Sequence, residues 1–419
     1  MRIGYACVTI GPEDTQMKTL RQSNAVPELL AERIEHNLKA LDRQIDYNLR
    51  NDIWLFRISS DLIPFGSSPV NRIPWTETFS DILEGIGRKI LAGGMRVSMH
   101  PGQYTVINSP DRGVVERATE DLLYHGRVLD SLGLDQQHKL VLHIGGVYQD
   151  KESAMLRFEE NCRALPDRIR QRLVLENDDR SYHTGDVLAI AHNLGLPAVY
   201  DNLHAQVNPD PEAMPLAETI RTFGATWKRD DGPQKIHYSQ QDFSKKPGSH
   251  SASIGIDAFL DFSAQLPDQH IDVMLEVKDK NLSAVKCILC TQPGTRANDL
   301  EEEWKRYKYK VLEKSQTAYD QIRKLLSDKT QVHPVLFYRL VEEALAGDDS
   351  SGSQINAALH VWGYFKKKAT AGERARFLKL VQDVGNGYAK GEALRRMLLR
   401  MVQRYGQPYL KESYYFYLE

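Results

Sequence analysis

The chain contains eight short apolar runs, each followed by a segment with helical periodicity. These runs predict strands at residues 2–7, 53–58, 95–100, 139–144, 172–177, 198–202, 234–238 and 271–276. Continuous apolar runs of this length are typical of parallel strands that are buried on both faces. Amphipathic segments such as 27–49 and 116–134 lie between them. Eight strand–helix units predict an α/β fold, a closed (β/α)8 TIM barrel.

An open, doubly wound sheet is the alternative architecture. That fold usually carries a glycine-rich phosphate-binding turn after its first strand. The first strand is followed by GYACVTIGPED, residues 4–14, which has no such turn. The closed barrel is therefore the favoured prediction.

The length of 419 residues exceeds a single barrel of roughly 250 residues, which predicts a second module. We predict a barrel domain over residues 1–292, a charged linker helix over 293–329 and a small, mainly helical domain over 330–419. The helix is expected at 301–328, where acidic residues crowd its first turn.

The composition excludes several classes of protein. With 41% hydrophobic and 26% charged residues the chain is typical of globular proteins. It has no run near the ~20 apolar residues of a membrane helix and no signal-peptide pattern, so we expect a cytoplasmic protein without a membrane partner. Four cysteines are too few for a disulfide scaffold. A net charge of −2 neither indicates nor excludes a nucleic-acid partner.

Six ionisable residues fall at or near the carboxyl ends of six different predicted strands, where barrel enzymes keep their active sites. These residues are His100, His143, Glu176, Asp201, His237 and Glu276. A single histidine in such a place is more often a hydrogen-bonded structural residue. Six on six strands instead predict a divalent metal site, and so many donors exceed the needs of one ion. We therefore expect two or three ions.

Six ordered motifs resemble those of the ultraviolet-damage endonucleases. They are SSDLIPFGSSP (59–69), MHPGQYTVINSP (99–110), VLENDDR (174–180), DNLHAQ (201–206), KIHYSQ (235–240) and EVKDK (276–280). The similarity extends over roughly residues 1–285. It implies a barrel like that of the apurinic endonucleases and sugar isomerases, a divalent metal cluster usually described with Mn, and nicking of DNA 5' to pyrimidine dimers.

The resemblance implies a full set of metal ligands, which adds two histidines in loops to the six strand-end residues. The set is His100, His143, Glu176, Asp201, His204, His237, His250 and Glu276. Glu176 is the candidate for a bridging carboxylate, because it has two oxygens and ends a central strand. Mn is the favoured ion, with Zn or Mg as alternatives, and no organic cofactor is expected.

Lys235 lies two residues before His237, so a strand directs both side chains into the barrel. An ammonium group cannot bind a cation, and a structural or phosphate-facing lysine is the simpler interpretation. The resemblance implies instead a carboxylated lysine, which would be an anionic ligand and a catalytic residue alongside Glu176 and Tyr5.

Residues for contact with DNA are implied by the same resemblance. Gln103 and Tyr104 correspond to a pair that wedges into the duplex, which a damaged, weakly stacked step would permit. The other implied contacts are Tyr5, Thr9, Ser67, Lys245 and Lys246. Thr9 and Ser68 stand where relatives often have Asn and His, so lesion and phosphate contact there depart from the family pattern.

We therefore predict a metal-dependent DNA-repair endonuclease that acts as a monomer on damaged double-stranded DNA, by attack of a metal-bound hydroxide on the phosphodiester. The alternatives are a sugar isomerase or apurinic endonuclease on the same barrel, or a nucleic-acid-binding protein without activity. The Gln103–Tyr104 pair argues against the isomerase, because it has no part in proton or hydride transfer on a polyol.

Two further patterns carry less information. Cys287 and Cys290 form a single C-x-x-C on the predicted eighth helix, which favours packing over zinc or redox chemistry. Near the C-terminus, Phe365 with three lysines (366–368) and tyrosines 414, 415 and 417 could form a nucleic-acid surface. An ordinary amphipathic bundle explains these residues equally well.

Overall fold

The computed structural model describes residues 1–12, 14–268 and 270–418. Eight parallel strands form a closed barrel in which each strand pairs with its neighbours in the chain and β8 pairs with β1. The strands are β1 (Ile3–Ala6), β2 (Leu55–Ile58), β3 (Arg96–Met99), β4 (Lys139–His143), β5 (Leu173–Glu176), β6 (Ala198–Asp201), β7 (Lys235–Tyr238) and β8 (Asp272–Leu275). The predicted (β/α)8 barrel and all eight predicted strands are thus confirmed.

Helices and loops connect the strands and cover the outside of the barrel. The α-helices up to the end of the barrel are α1 (Pro27–Arg50), α2 (Trp75–Thr78), α3 (Ser80–Ala92), α4 (Arg112–Ser131), α5 (Lys151–Ala164), α6 (Asp167–Arg170), α7 (Thr184–Leu194), α8 (Asn202–Val207), α9 (Leu216–Gly224), α10 (Ile256–Ala264) and α11 (Asn281–Thr291). Short 3-10 helices lie at Gln22–Asn24, Ser60–Leu62 and Arg229–Asp231.

Local sequence explains where several of these helices begin. α1 starts with Pro27, whose fixed φ and missing N–H suit a first helical position. The Asp111 side chain accepts hydrogen bonds from the first turn of α4, and Asp150 does the same for α5. Such caps satisfy backbone donors that the helix itself leaves free.

Strand register brings the ionisable strand ends side by side. His143 lies opposite Glu176 across the β4–β5 pair, and Asp201 lies opposite His237 across the β6–β7 pair. Because all strands run in the same direction, their carboxyl ends open at one end of the barrel. Register alone therefore places imidazole beside carboxylate twice.

The amino-terminal end of the barrel is closed by buried ion pairs. Arg96 at the start of β3 lies 2.9 Å from a carboxylate oxygen of Asp272 at the start of β8, and both are almost fully buried. Arg2 reaches the other oxygen of Asp272 at 2.9 Å. Lys139 at the start of β4 pairs with Asp231 at 2.5 Å. Removing one partner of a buried pair is strongly destabilising, so these groups hold the strands at this end.

The chain divides into two compact units, which are described separately. The barrel unit contains residues 1–9 and 14–285, and the helical unit contains the described residues 10–12 and 286–418. The division falls inside α11, whereas the sequence places a domain boundary at residue 292. The assignment of residues 293–329 to a linker remains a prediction.

The helical unit is built from α12 (Ala297–Lys314), α13 (Gln316–Leu325), α14 (Pro334–Ala346), α15 (Ser351–Trp362), α16 (Ala371–Gly385), α17 (Gly391–Tyr405), α18 (Pro408–Lys411) and a 3-10 helix at Tyr414–Phe416. The single charged helix predicted over 301–328 is wrong, because extended backbone at Ser315 separates α12 from α13. The Ser315 side chain caps α13 by accepting a hydrogen bond from the Ala318 N–H.

The core of the helical unit is aromatic. Trp362 and Phe377 stack with ring centroids 4.3 Å apart, and Phe365 is fully buried beside them. Tyr414 and Tyr415 are also buried, and Tyr417 is half-buried. These side chains hold the unit together, so the aromatic part of the nucleic-acid surface considered from the sequence is not present.

No helix in the described parts of the chain combines the length and the apolar character that a membrane crossing requires.

Candidate metal centre

Two groups of side chains converge at the carboxyl end of the barrel, and Glu176 belongs to both. The first group is His100, His143 and Glu176, and the second is Glu176, Asp201, His237 and Glu276. Within each group one donor atom per residue lies within 4.8 Å of the others. Six residues predicted from strand ends are therefore together in space.

The first group is held by three neighbouring strands. His100 follows β3 directly, and His143 and Glu176 are the last residues of β4 and β5. Nε2 of His100 lies 3.0 Å from Oε2 of Glu176, and Nε2 of His143 lies 3.5 Å from the same oxygen. Nδ1 of His100 is 3.0 Å from the carbonyl oxygen of Pro101, which fixes the orientation of its ring.

The second group approaches the other oxygen of Glu176. Nδ1 of His237 lies 2.5 Å from Oε1 of Glu176 and 3.3 Å from Oε1 of Glu276. Asp201 is fully buried, and one of its oxygens accepts a hydrogen bond from the His204 N–H. The two oxygens of Glu176 thus face different groups, which is the arrangement expected of a bridging carboxylate.

The two predicted loop ligands lie at the edge of these groups. Nδ1 of His204, in α8, is 3.8 Å from both Glu176 and Asp201 and 2.9 Å from the carbonyl oxygen of Asn177. Nε2 of His250 is 3.9 Å from Oε2 of Glu276. Both rings face the site, and their role as ligands remains a prediction.

The pKa values reflect a buried site with more carboxylates than its surroundings neutralise. Burial and the nearby charges of Glu176 and Glu276 together raise the pKa of Asp201 to about 7, against the lowering effect of His204. Burial lowers the pKa of His204, but Asp201 and Glu176 outweigh it and raise the value to about 9. Burial would raise the pKa of Glu176, yet the imidazoles of His237 and His143 hold it well below its usual range.

A divalent cation fits this donor set. Oδ2 of Asp201 is buried and has no hydrogen-bond partner among the described residues. A buried, unpaired carboxylate oxygen is costly, and a metal ion is a common way to satisfy one. Imidazole and carboxylate together are also the donors that Zn, Mn and Fe accept.

One buried cation in the site was not predicted from the sequence. Arg57, in β2, is only 5% exposed, and its Nη2 lies 2.6 Å from Glu276 and 3.0 Å from Nε2 of His237. The signal was available, because FRIS at residues 56–59 places an arginine inside an apolar strand. A charged residue in a strand that is buried on both faces requires a charged partner.

Lys235 is buried and lies on the same face of β7 as His237. Burial lowers its pKa well below the usual value, and the positive charges of Arg96 and Arg57 add to this effect. The side chain is therefore biased toward the neutral amine. Its carboxylation remains a prediction.

The loop after β3 carries the predicted wedge. Tyr104 is 84% exposed, and Gln103 lines two cavities of about 740 and 410 Å³. The larger cavity is also lined by Ser67. An exposed tyrosine has no packing role here, so this loop is free to contact a ligand.

Tyr5 and Thr9 are placed differently from the expectation. Both are fully buried, and the Tyr5 hydroxyl lies 2.5 Å from the Thr9 hydroxyl and donates to Asn48 at 2.8 Å. Burial raises the pKa of Tyr5 well above its usual value, so the phenol stays protonated. The predicted direct contact with a lesion is corrected: a side chain without solvent exposure cannot touch DNA in this conformation.

The loop after β7 is exposed and basic. Lys245 lies 3.2 Å from Asp242, and Lys246 is exposed. Between Asp242 and these lysines stands Phe243, which is 93% exposed and was not singled out from the sequence. Ser68, in the loop after β2, is half-buried and uses its hydroxyl to accept the Val70 N–H.

Comparison with known protein families gives two matches along the chain. Residues 1–298 match the family described as UV-endonuclease UvdE. Residues 308–418 match a family described as a protein of unknown function (DUF1722).

Individual relatives agree with the first match. The UV DNA damage endonuclease of Clostridium perfringens (strain 13 / Type A) is 36% identical over 99% of this chain and 99% of its own length. That of Bacillus cereus (strain B4264) is 31% identical over 61% of this chain and 80% of its own. The crystal structure of SacUVDE is 37% identical, with a TM-score of 0.65 over 69% of this chain and 96% of that chain. The chain belongs to the UV-endonuclease family.

Proposed function

We propose that this protein is a metal-dependent endonuclease of DNA repair that nicks duplex DNA on the 5' side of ultraviolet photoproducts and related lesions. Membership of the UV-endonuclease family supports the nuclease and its DNA substrate.

The observation that carries the proposal is the position of Glu176 between two groups of buried and partly buried donors. A single ion needs no more than one of these groups. A carboxylate whose two oxygens face different donor sets is suited to join two ions, as in sites for phosphoryl chemistry.

Bound divalent ions would supply Lewis acidity for both the attacking and the departing oxygen of an in-line displacement at phosphorus. His100, His143 and Glu176 would hold one ion, and Glu176, Asp201, His237 and Glu276 would hold another. His204 and His250 would complete the set. The mixture of imidazole and carboxylate supports Mn, with Zn or Mg as alternatives.

The remaining residues of the site act on charge and on the substrate. Arg57 partly neutralises Glu276 and contacts Nε2 of His237, so both donors would be held in place before a cation arrives. The exposed Gln103 and Tyr104 would insert at a weakly stacked step, where unstacking costs less than in intact duplex. Lys245 and Lys246 would contact backbone phosphates.

Tyr5 is proposed to position the loop after β1. Its hydroxyl ties the β1 loop at Thr9 to Asn48 in α1, which positions that loop at the rim of the barrel. No organic cofactor and no membrane partner enter the proposed reaction. The protein is proposed to act as a monomer.

The test is a nicking assay with Mn and a labelled duplex that carries one cyclobutane thymine dimer, beside undamaged and abasic duplexes. The wild-type protein is expected to cut directly 5' to the dimer. Glu176→Gln is expected to abolish the cut. The matched control is Glu159→Gln, which removes a buried carboxylate that pairs with Arg163 in α5 and leaves the site intact.

Each outcome has a distinct meaning. Cutting of the abasic duplex alone would keep the nuclease and overturn the assignment of the lesion. Cutting by wild type in the presence of a strong chelator would overturn the metal dependence. Failure to cut all three duplexes would overturn the proposed function.

A further inference from the structure

Charge is divided unequally along the chain. Residues 286–419 contain 23 Lys and Arg against 16 Asp and Glu, a net charge of +7, whereas residues 1–285 contain 31 against 40, a net charge of −9. The overall charge of −2 conceals this difference. A barrel with a net negative charge repels a polyanion outside its immediate binding site.

The excess of positive charge is concentrated between residues 366 and 404, with 11 Lys and Arg against 3 Asp and Glu. This segment comprises the turn after α15, helix α16, the following turn and α17. α16 and α17 pack against each other, and Arg404 near the end of α17 pairs with Glu373 at the start of α16 at 2.9 Å. The two helices therefore form an antiparallel hairpin.

Most basic residues elsewhere in the helical unit are neutralised by a neighbour. Lys305, Lys310 and Lys314 on α12 each pair with a carboxylate. The hairpin differs, since eight of its basic residues are exposed and have no ion-pair partner among the described residues. We name these eight the basic surface: Lys366, Lys367, Lys368, Arg374, Arg376, Lys379, Lys390 and Arg400.

Hydrogen bonds bring part of the basic surface together. The guanidinium of Arg374 donates to the carbonyl oxygen of Lys366 at 2.9 Å, which draws α16 to the lysine turn. The carboxylate of Glu373, in the first turn of α16, accepts the Thr370 N–H at 2.9 Å and the Tyr405 hydroxyl at 2.7 Å and pairs with Arg404. The ammonium groups of residues 366–368 have no ion-pair partner among the described residues.

We propose that the basic surface binds the phosphate backbone of duplex DNA, and that it supplies affinity that depends on neither sequence nor lesion. This inference rests on the proposed function for its choice of polyanion. Unpaired, exposed ammonium and guanidinium groups release counterions when they meet phosphates, and that release drives non-specific binding. All eight residues belong to the helical unit, whereas the exposed Tyr104 and Lys246 belong to the barrel unit.

The test measures binding of the full-length protein to an undamaged duplex by fluorescence anisotropy at several salt concentrations. The variant is Lys366→Gln/Lys367→Gln/Lys368→Gln. Each lost phosphate contact lowers the slope of log affinity against log salt by about 0.9, so the triple variant is expected to lower it by about 2 to 3. Binding to undamaged and dimer-containing duplexes should weaken by the same factor.

The matched control is Arg323→Gln/Lys324→Gln/Lys329→Gln, which removes the same charge from the same unit outside the hairpin. It is expected to keep the wild-type slope. An equal loss in both triple variants would overturn the inference, because net charge and not the basic surface would then explain binding. An unchanged slope in the hairpin variant would also overturn it.

Two further results distinguish duplex DNA from RNA as the partner, and distinguish failure of this inference from failure of the proposed function. Tighter binding to single-stranded RNA than to duplex DNA, lost in the hairpin variant, would replace DNA as the partner. The binding assay requires no cleavage. If the wild-type protein nicks a dimer and the hairpin variant keeps its full duplex affinity, the proposed function stands and the basic surface does not bind DNA. If the wild-type protein nicks no duplex but the hairpin variant loses duplex affinity, the basic surface binds DNA and the proposed function is overturned.

Discussion

Nη2 of Arg57 lies 2.6 Å from Oε1 of Glu276, inside the set of donors that would bind metal ions. Without a cation, this guanidinium is the main positive partner of Glu276, and it holds the pKa of that carboxyl well below its usual range although burial acts in the other direction. Arg57 and a bound ion therefore stabilise the same carboxylate.

This overlap predicts how Arg57→Met should behave. Loss of the guanidinium removes the main positive partner of Glu276, and breaking a buried ion pair typically costs about 3–5 kcal/mol of unfolding free energy. Added Mn should restore much of that loss, so Tm is expected to rise more with Mn in the variant than in the wild type. Differential scanning fluorimetry with and without Mn measures both.

The control for this experiment is Arg172→Met. Arg172 is also buried and pairs with Asp130 at 2.7 Å, outside the candidate site. It should destabilise the protein without an extra response to Mn. Equal Mn responses in the two variants would show that Arg57 does not share its carboxylate with a cation.

Removal of the exposed ring by Tyr104→Ala is expected to leave stability within about 0.5 kcal/mol, because surface substitutions rarely exceed that range. Binding to a dimer-containing duplex should weaken by about 1–3 kcal/mol, the contribution of one stacked base. Leu156→Ala, which removes an exposed apolar side chain of α5, should not affect this affinity. A wild-type preference for damaged over undamaged duplex in Tyr104→Ala would exclude Tyr104 as the lesion sensor.

Lys235 provides a chemical test. If its neutral amine attacks CO2, an N–C bond forms, the amine loses a proton and a carbamate results. Protein equilibrated with 13C-bicarbonate should then show a carbamate signal by 13C NMR that is lost in Lys235→Met. Lys139→Met is the control, since Lys139 is equally buried but pairs with Asp231 at 2.5 Å. A signal lost in both variants, or absent from wild type, would exclude carboxylation of Lys235.

His138 predicts an acid sensitivity of the barrel that is independent of the site. Nδ1 of His138 accepts the Val97 N–H at 3.1 Å, and burial lowers the pKa of His138 to about 4. The unfolded chain, with a pKa near 6.5, takes up a proton first, so stability falls as the pH falls between these two values. The full effect of this group is about 3 kcal/mol.

The prediction is tested with His138→Gln, whose amide oxygen can accept the same hydrogen bond without titrating. Its unfolding free energy in urea should fall less steeply than that of wild type between pH values of about 6.5 and 4. His192→Gln, at an exposed position, should keep the wild-type slope. If the unfolding free energies of wild type and His138→Gln fall in parallel with pH, His138 is not the cause of the acid sensitivity.

Strand ends could be predicted from the sequence because burial on both faces leaves an apolar run that stops where the strand reaches the site. This explains why His100, Glu176 and Glu276 were found from pattern alone. His204 and His250 lie in a helix and a loop, where no periodicity marks them, and only the family motifs pointed to them. Whether any of these residues binds metal remains untested.

Three features were not predicted from the sequence. Arg57 is neither an anion nor an imidazole, so the strand-end pattern of metal donors does not mark it, although charge balance inside the barrel requires a cation as well. The burial of Tyr5 and Thr9 depends on how the β1 loop folds back toward Asn48, a tertiary contact without a local pattern. The break at Ser315 did have a local signal, since serine is a favoured helix cap.

The ion pairs at the amino-terminal end of the barrel, including Arg96 with Asp272, lie at the opposite ends of the strands from Glu176. The ion pairs that stabilise the amino-terminal end of the barrel and the donors at its carboxyl end are therefore different residues of the same strands. Selection for growth at a higher or lower temperature can act on these ion pairs, whose desolvation cost falls on warming, without changing a residue that meets the substrate. The thermal stability of the barrel can therefore change while the residues of the candidate site stay the same.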